Sequence, residues 1–456
     1  MDKEIVAKYN VPVPRYTSYP PANFFHSGFS HDEYVRAIVE SNHSRPENIS
    51  VYIHFPFCPR LCHYCGCNSQ IMQKKEGVDA YIEALKEEIK QTFRLIDKKR
   101  KVSQIHYGGG TPSILPGKVL KEINQSILTT FEATDNIEIA IECHPGYLDR
   151  DGWMGIIEAG FNRVSIGIQD FNEEVLKSVN RKASLLPVET IMEQLRDHSI
   201  AINLDFIYGL PRQTASMFEE NMRRVVELSP DRVVTFSYAH VPWVNPSMKI
   251  LEEKGLPAQE EKQAMFSTIR QIMKEGGYCA IGMDHFVKPT DTLYTSFLEK
   301  SLHRNFQGYC TRKTTGQVYA FGVSAITQLS GAYAQNTKSV DKYIKHIEQG
   351  VSAVEKGYEL TFEQQVTRDL IELLMCNESL LWAELASKYN TTTEQIHSWI
   401  HIPHERLKEM EGDGLITVTT ERIAATAEGK QFIRNIAALF DPLLNNDISQ
   451  RFSKPI

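Results

Sequence analysis

The chain of 456 residues has no surplus of positive charge: 50 lysines and arginines against 57 aspartates and glutamates leave a net charge of -7. Broad nucleic-acid binding is thereby disfavoured, because that affinity comes mainly from basic side chains neutralising phosphates. No apolar run approaches the ~18 residues that a membrane-spanning helix needs. The opening segment, Met1 to Pro14, carries Lys3 and Lys8 but no apolar core of signal-peptide length, so a cytoplasmic location and no membrane span are expected. Internal repeats and low-complexity tracts are missing too. With 8 cysteines in all, the chain is too poor in cysteine for a disulfide scaffold. No second C-x-x-C pair exists to complete a zinc knuckle.

What is present is ordinary in bulk and unusual in one place. A hydrophobic fraction of 42% and a charged fraction of 23% are those of a folded globular protein. The length exceeds what one hydrophobic core usually serves, so a main domain plus a smaller unit is expected. The unusual place is the run Cys58-Pro59-Arg60-Leu61-Cys62-His63-Tyr64-Cys65-Gly66-Cys67. Cys143, Cys279, Cys310 and Cys376 are scattered and read as small buried hydrophobes.

From Ser50 onward, short β-branched runs alternate with helical patterns, the signature of βα units and a parallel sheet. Strands are predicted at 51–55, 102–107, 137–142, 163–169, 201–208 and 232–238. Between the first two, Val78, Tyr81, Ile82, Leu85, Ile89 and Phe93 recur at helical spacing, with lysines and glutamates filling the other side. Six such units can wind into an open sheet or curl into a complete or partial barrel. In each case chemistry belongs at the carboxyl ends of the strands. The cysteine loop, Gly108 to Thr111, Glu142, Gln169, Asp205 and Ala239-His240 are all expected there. Before the first strand, Arg15 to Pro21 has no period and reads as an extended arm. After Leu360 the pattern turns helical, with a hairpin at 416–425, and resembles a winged helix. Its abundant acidic residues favour packing onto the main domain over DNA binding. The expected division is 1–49 as arm and lead-in, 50–355 as catalytic domain and 356–456 as C-terminal helical domain.

The crowded thiols suit a metal centre. Zinc sites want four closed ligands, and a redox dithiol needs only two cysteines. A 4Fe-4S cluster normally takes four thiolates, whereas the C-x-x-x-C-x-x-C spacing of Cys58, Cys62 and Cys65 supplies three and leaves one iron open. This spacing, with Tyr64 before the third cysteine, matches the radical S-adenosylmethionine (SAM) signature. In that superfamily the open iron is chelated by the amino and carboxylate groups of the methionine moiety. Glycines at 108–110 let backbone approach a ligand closely. Glu142 and Asp205 could accept hydrogen bonds from ribose hydroxyls or an amine, Gln169 could do either job, and Arg181 could grip a carboxylate with two N–H groups. A helix cap or a surface charge is the plain alternative for each.

Over nearly its whole length the sequence resembles the oxygen-independent coproporphyrinogen III oxidases, a branch of the radical SAM superfamily. The match is carried by Arg15-Tyr16-Thr17-Ser18-Tyr19-Pro20, the cysteine loop, Gly108 to Pro112, Phe161 to Phe171, Asp205 to Pro211, Ser237 to His240, Ile281 to Phe286, His303 to Tyr309 and Gly322 to Ile326. The resemblance implies a three-quarter parallel β/α barrel with an N-terminal arm and a C-terminal helical domain. It implies a cluster on Cys58, Cys62 and Cys65, with Cys67 no ligand, and two SAM molecules. Tyr52, Gly109, Glu142 and Ile326 would contact the first, and Tyr64, Gly110, Thr111, Gln169, Arg181, Asp205 and Ala239 the second. The implied reaction is oxidative decarboxylation of two propionates of coproporphyrinogen III, with a donor such as flavodoxin or ferredoxin and a monomeric enzyme. Arg15, Arg304 and Lys288 are candidates for the substrate's carboxylates. Cys143-His144-Pro145 and Val241-Pro242-Trp243 depart from the family pattern. A haem-binding chaperone, a haem-degrading radical enzyme and a cluster-sensing winged-helix regulator are the alternatives.

Overall fold

The structure is a computed structural model that describes residues 3–445 and 452–454. Met1 and Asp2 of the arm, and 446–451 and 455–456 of the C-terminal domain, lie outside the described residues. The chain forms two compact units: His26–Tyr278 with Lys313–Glu359, and Met1–Phe25 with Cys279–Arg312 and Leu360–Ile456.

The first unit is organised by β1 (Ile49–Phe55), β2 (Val102–Gly109), β3 (Ala133–Cys143), β4 (Arg163–Gln169), β5 (Ala201–Tyr208) and β6 (Arg232–Ser237). Each pairs in parallel with the next, so sequence order is spatial order. Near-continuous burial of the β1 residues is what a strand covered on both faces requires. Helices cross between successive strands, among them Lys75–Phe93, Gly117–Thr130 and Ala215–Leu228. Phe93 ends the first of these edge-on to Phe131 at 4.8 Å and Phe321 at 5.7 Å, pinning helix to sheet.

On the other side of β1 lie strands that the sequence pattern did not single out. β7 (Gln317–Phe321) is fully buried and parallel to β1, and β8 (Ile326–Gln328), β9 (Ala332–Asn336) and β10 (Val354–Glu359) continue antiparallel from it. Within this unit the order is therefore β10-β9-β8-β7-β1-β2-β3-β4-β5-β6. β10 and β6 stand at opposite ends of it. The sheet is open, mostly parallel, and has the strand succession of an incomplete β/α barrel.

In the second unit, helix Phe362–Asn377 begins with a reciprocal cap between Thr361 and Gln364. Three short strands, Ser379–Leu381, Arg422–Ala425 and Ile416–Val418, pair in that order, with helices Trp382–Lys388, Thr393–Trp399 and His404–Gly412 between the first and the last. This is the winged-helix arrangement expected. Its core gathers Leu370, Leu374, Ile423 and Ile436 with Tyr9, Tyr16 and Tyr19 of the arm. Ahead of the segment expected to be extended, Arg15 to Pro21, Lys3–Tyr9 is helical. Segment 279–312, expected within the central domain, clusters with this unit because its hairpin Leu302–Asn305/Gly308–Thr311 packs on helix Phe362–Asn377.

Candidate functional site

The cysteine loop leaves the carboxyl end of β1. Its base is stapled where Phe57-Cys58 pairs in parallel with Gln70-Ile71, and Met72 N–H donates to Cys58 O at 2.9 Å. Its middle is held from outside: Asn180 Nδ2 donates to Leu61 O at 2.8 Å, Asn245 Nδ2 to Cys65 O at 2.8 Å and Ser247 Oγ to His63 O at 3.2 Å. Side chains thus fix the backbone and leave the sulfurs unbridged; Cys58, Cys62 and Cys65 are all free and half-buried. Thr111 Oγ1 donates to Cys58 Sγ at 3.2 Å and Arg181 Nη1 to Cys62 Sγ at 3.6 Å. Burial pushes the Cys58 thiol up to about 11, while the Cys67 thiol, donating to Cys65, draws Cys65 toward the thiolate. Among the described residues no three His, Cys, Asp or Glu side chains converge on a single-ion point. A polynuclear cluster does not ask for that convergence, because each thiolate binds a different iron. The donor set therefore fits an iron-sulfur cluster on chemical grounds: soft sulfur ligands only, in one loop.

Glycines at the end of β2 make room beside the loop. Gly109 has φ of +109°, and a Cβ there would lie 2.6 Å from the His54 ring; at Gly110 it would lie 2.8 Å from Phe57 O. Gly110 N–H donates to Phe55 O at 2.7 Å and Thr111 N–H to Phe57 O at 3.0 Å, so these amides knit β2 to the loop. Around Gly108 and Gly109 converge Tyr52, His54, His106 and Glu142. Tyr52 stacks on His106 with centroids 6.0 Å apart, and His106 Nε2 donates to Glu142 Oε1 at 3.3 Å. His54 Nε2 donates to Asn68 O at 3.0 Å, which leaves Nδ1 to accept from Tyr52 OH at 3.3 Å. Burial lowers His54, keeping it neutral at pH 7, and burial with the nearby Glu142 charge raises Tyr52 well above its ordinary value. Tyr52 also packs on Val318, Ala320 and Ala325, next to Ile326 at the start of β8.

A second group forms across β4 and β5. Gln169 ends β4 with φ of +67°, and its Oε1 is buried with no hydrogen-bond partner. Arg181 donates to Tyr64 OH at 3.1 Å and to Gly167 O as well as to Cys62. A Cβ on Gly167 would meet both Gln169 Nε2 and Arg181 Nη2 within 3 Å, so these side chains share one corner. Arg181, expected to be available for a two-pronged carboxylate grip, is instead spent on three acceptors of the protein. Asp205 is not at a strand end as expected but inside β5, opposite Gly167, where it accepts from Ser165 Oγ at 2.6 Å and Asn203 Nδ2 at 2.8 Å. Ala239 lies just beyond β6. The expected carboxylate-binding residues Arg15, Arg304 and Lys288 all belong to the other unit.

Residues 52–225 match the model of the radical SAM superfamily. The sequence is 38% identical to the oxygen-independent coproporphyrinogen III oxidase of Synechocystis over 99% of this chain and 97% of that one. It is 35% identical to the enzyme of that name from Escherichia coli, over all of this chain and 98% of that one. The solved structure of the Escherichia coli enzyme, described as a radical SAM enzyme, superposes with a TM-score of 0.88 at 33% identity, covering 97% of this chain and 99% of that chain. The chain belongs to the oxygen-independent coproporphyrinogen III oxidase family. A 4Fe-4S cluster and SAM are therefore its cofactors.

For a member of this family, two residues stand out that the sequence pattern did not offer as candidates, His54 and His106. The available signal was alternation. His54 is two positions along β1 from Tyr52, on the same face, and Tyr52 and His106 occupy paired register positions on β1 and β2. The departure Cys143-His144-Pro145 is buried, and burial together with Arg181 holds His144 down to about 2, so it stays neutral beside the site. Among the described residues no helix is long and apolar enough to cross a membrane.

Proposed function

We propose that this protein converts two propionate side chains of coproporphyrinogen III to vinyl groups without oxygen, giving protoporphyrinogen IX and carbon dioxide. The observation that carries this reading is the set of three half-exposed thiols in one loop at the end of β1, in a chain matched from end to end by enzymes of that name. Cys58, Cys62 and Cys65 would hold the cluster, and Cys67 would not be a ligand. When bound, the cluster and SAM would supply the radical chemistry that takes a hydrogen atom from a propionate β-carbon. Loss of carbon dioxide and of one electron to an acceptor then leaves each vinyl group.

The protein's own part is to place and shield. Tyr52, Gly109, Glu142 and Ile326 border one SAM position, where Glu142 can accept from ribose hydroxyls and neutral His54 keeps Tyr52 OH turned inward. Tyr64, Gly110, Thr111, Gln169, Arg181, Asp205 and Ala239 border a second, supported by the unpaired Gln169 Oε1, an acceptor that an amine or hydroxyl would satisfy. Arg181 acts there chiefly by fixing Tyr64 and Cys62. The enzyme works as a cytoplasmic monomer supplied with electrons by a flavodoxin or ferredoxin.

The test is anaerobic reconstitution with iron, sulfide, SAM and dithionite. Wild-type protein should form 5'-deoxyadenosine and, with substrate, protoporphyrinogen IX; Cys62→Ala should form neither. Persistent 5'-deoxyadenosine in that variant removes the thiol trio from the mechanism, and stoichiometric haem binding without product replaces the oxidase by a haem carrier.

A further inference from the structure

We infer that Arg304, assisted by Arg15, forms a buried clamp for a propionate carboxylate of the substrate. This deepens the proposed activity and rests on it for the identity of the ligand. Arg304 stands on the hairpin Leu302–Asn305/Gly308–Thr311 and is 6% exposed. Its guanidinium lies over the Tyr309 ring, 4.4 Å from the centroid, and Nε donates to the Arg15 carbonyl at 3.2 Å. Those contacts fix the plane of the group. Its Nη1 is buried and meets no acceptor among the described residues, nor does Nδ2 of Asn305 at the end of the same strand.

Charge balance around it points the same way. Arg434 is drawn down to about 9 by burial and then by repulsion from Arg15 and Arg304, so three guanidiniums sense one another. Arg434 spends its N–H groups on the carbonyls of Val13, Pro14, Ser453 and Lys454 and is a tie between the arm and the C-terminal segment. Asp284 is an anion close to Arg304 and Arg15, and its carboxylate accepts from His285 Nδ1 at 2.7 Å. Burial opposes the Asp284 charge, yet His285, Arg304 and Arg15 together hold it at about 2. One carboxylate thus faces more than one guanidinium in a place shielded from water. A buried cation with an unmet planar N–H group is the complement of a carboxylate, which accepts two parallel hydrogen bonds. Coproporphyrinogen III carries four carboxylates, so it offers an anion for this position.

The test is direct titration of the full-length protein with coproporphyrin III, followed by fluorescence quenching, against its tetramethyl ester. Wild type should prefer the acid. Arg304→Gln should weaken acid binding at least about tenfold, the loss of one charge-assisted hydrogen bond, and leave the ester unchanged; Arg304→Lys should recover part of the difference. Equal acid binding by wild type and Arg304→Gln overturns the clamp. If Arg304→Gln fails to fold, Arg15→Gln, at a half-buried position, reads the same difference: a narrowed acid preference supports the clamp, and an unchanged one overturns it. An Arg304-dependent acid preference in an enzyme that makes no protoporphyrinogen IX would leave the clamp standing and remove the proposed reaction alone.

Discussion

Two carboxylates of the sheet unit, Glu142 and Glu88, show how differently the same group is used. Glu142 projects from β3, is nearly half exposed and receives a hydrogen bond from His106 Nε2. Glu88 lies on the buried side of helix Lys75–Phe93, where Tyr343 OH and Gly322 N–H donate to Oε2 at 2.6 and 2.8 Å and Asn336 Nδ2 to Oε1 at 2.6 Å. Three internal donors saturate Glu88 and join the helix to the turn after β7 and to helix Val340–Glu348. Glu142 keeps accepting capacity and faces the glycine gap beside the cysteine loop. A saturated buried acid is architecture, whereas an acid with lone pairs to spare at a strand end is a place for a ligand.

Truncation should separate them most strongly. Glu88→Ala strands Tyr343 OH and Gly322 N–H in a dry space, takes one of the two acceptors of Asn336 Nδ2 and opens a cavity, at a cost of about 3 kcal/mol read from urea unfolding at pH 7. A cost below about 1 kcal/mol would erase the distinction. Glu142→Gln should do the reverse. Losing a hydrogen bond to a charged acceptor removes about 1.5–3 kcal/mol of ligand interaction, a fall of roughly 10- to 100-fold in 5'-deoxyadenosine formation at limiting SAM. Its unfolding free energy should stay within about 0.5 kcal/mol of wild type.

This contrast also marks what the sequence reveals and what it hides. Strands 163–169 and 201–208 are bounded as their apolar patterns predict, because in a parallel sheet burial on both faces leaves a continuous signature. The thiol spacing is legible because it is local. β7 is equally apolar, but its partner is β1, at the far end of the unit's sequence, and no local pattern encodes that pairing. β3 begins at Ala133 rather than 137, a start that its pattern hides because Thr134, Asp135 and Asn136 are polar and half-buried or exposed. Glu88 is hard to single out in a helix rich in lysine and glutamate, because its burial depends on donors supplied by Gly322, Asn336 and Tyr343 from later in the chain. Asp205, expected at a strand end, lies inside β5, as the bounds predicted for that strand already implied. Arg304 and its unmet N–H could be suspected as a cation and nothing more, for the missing acceptor exists only in three dimensions.

The mildest expected effect sharpens the comparison from the side of pH. Burial raises Glu88 to about 7 from an ordinary 4.5, despite hydrogen bonds from Tyr343, Gly322 and Asn336 that act against it. Between those two values the folded state holds a proton that the unfolded state has released, so unfolding free energy must fall as pH rises through this window. One group titrating this way contributes a slope of about -1 kcal/mol per pH unit near pH 5.5 to 6. Glu88→Gln has no such proton, and every other titrating group is common to both proteins. Urea midpoints measured from pH 5 to 7 should therefore show the difference between variant and wild type drifting steadily in favour of the variant as pH increases. Parallel curves would mean that Glu88 is ionised throughout, with its three donors outweighing its burial.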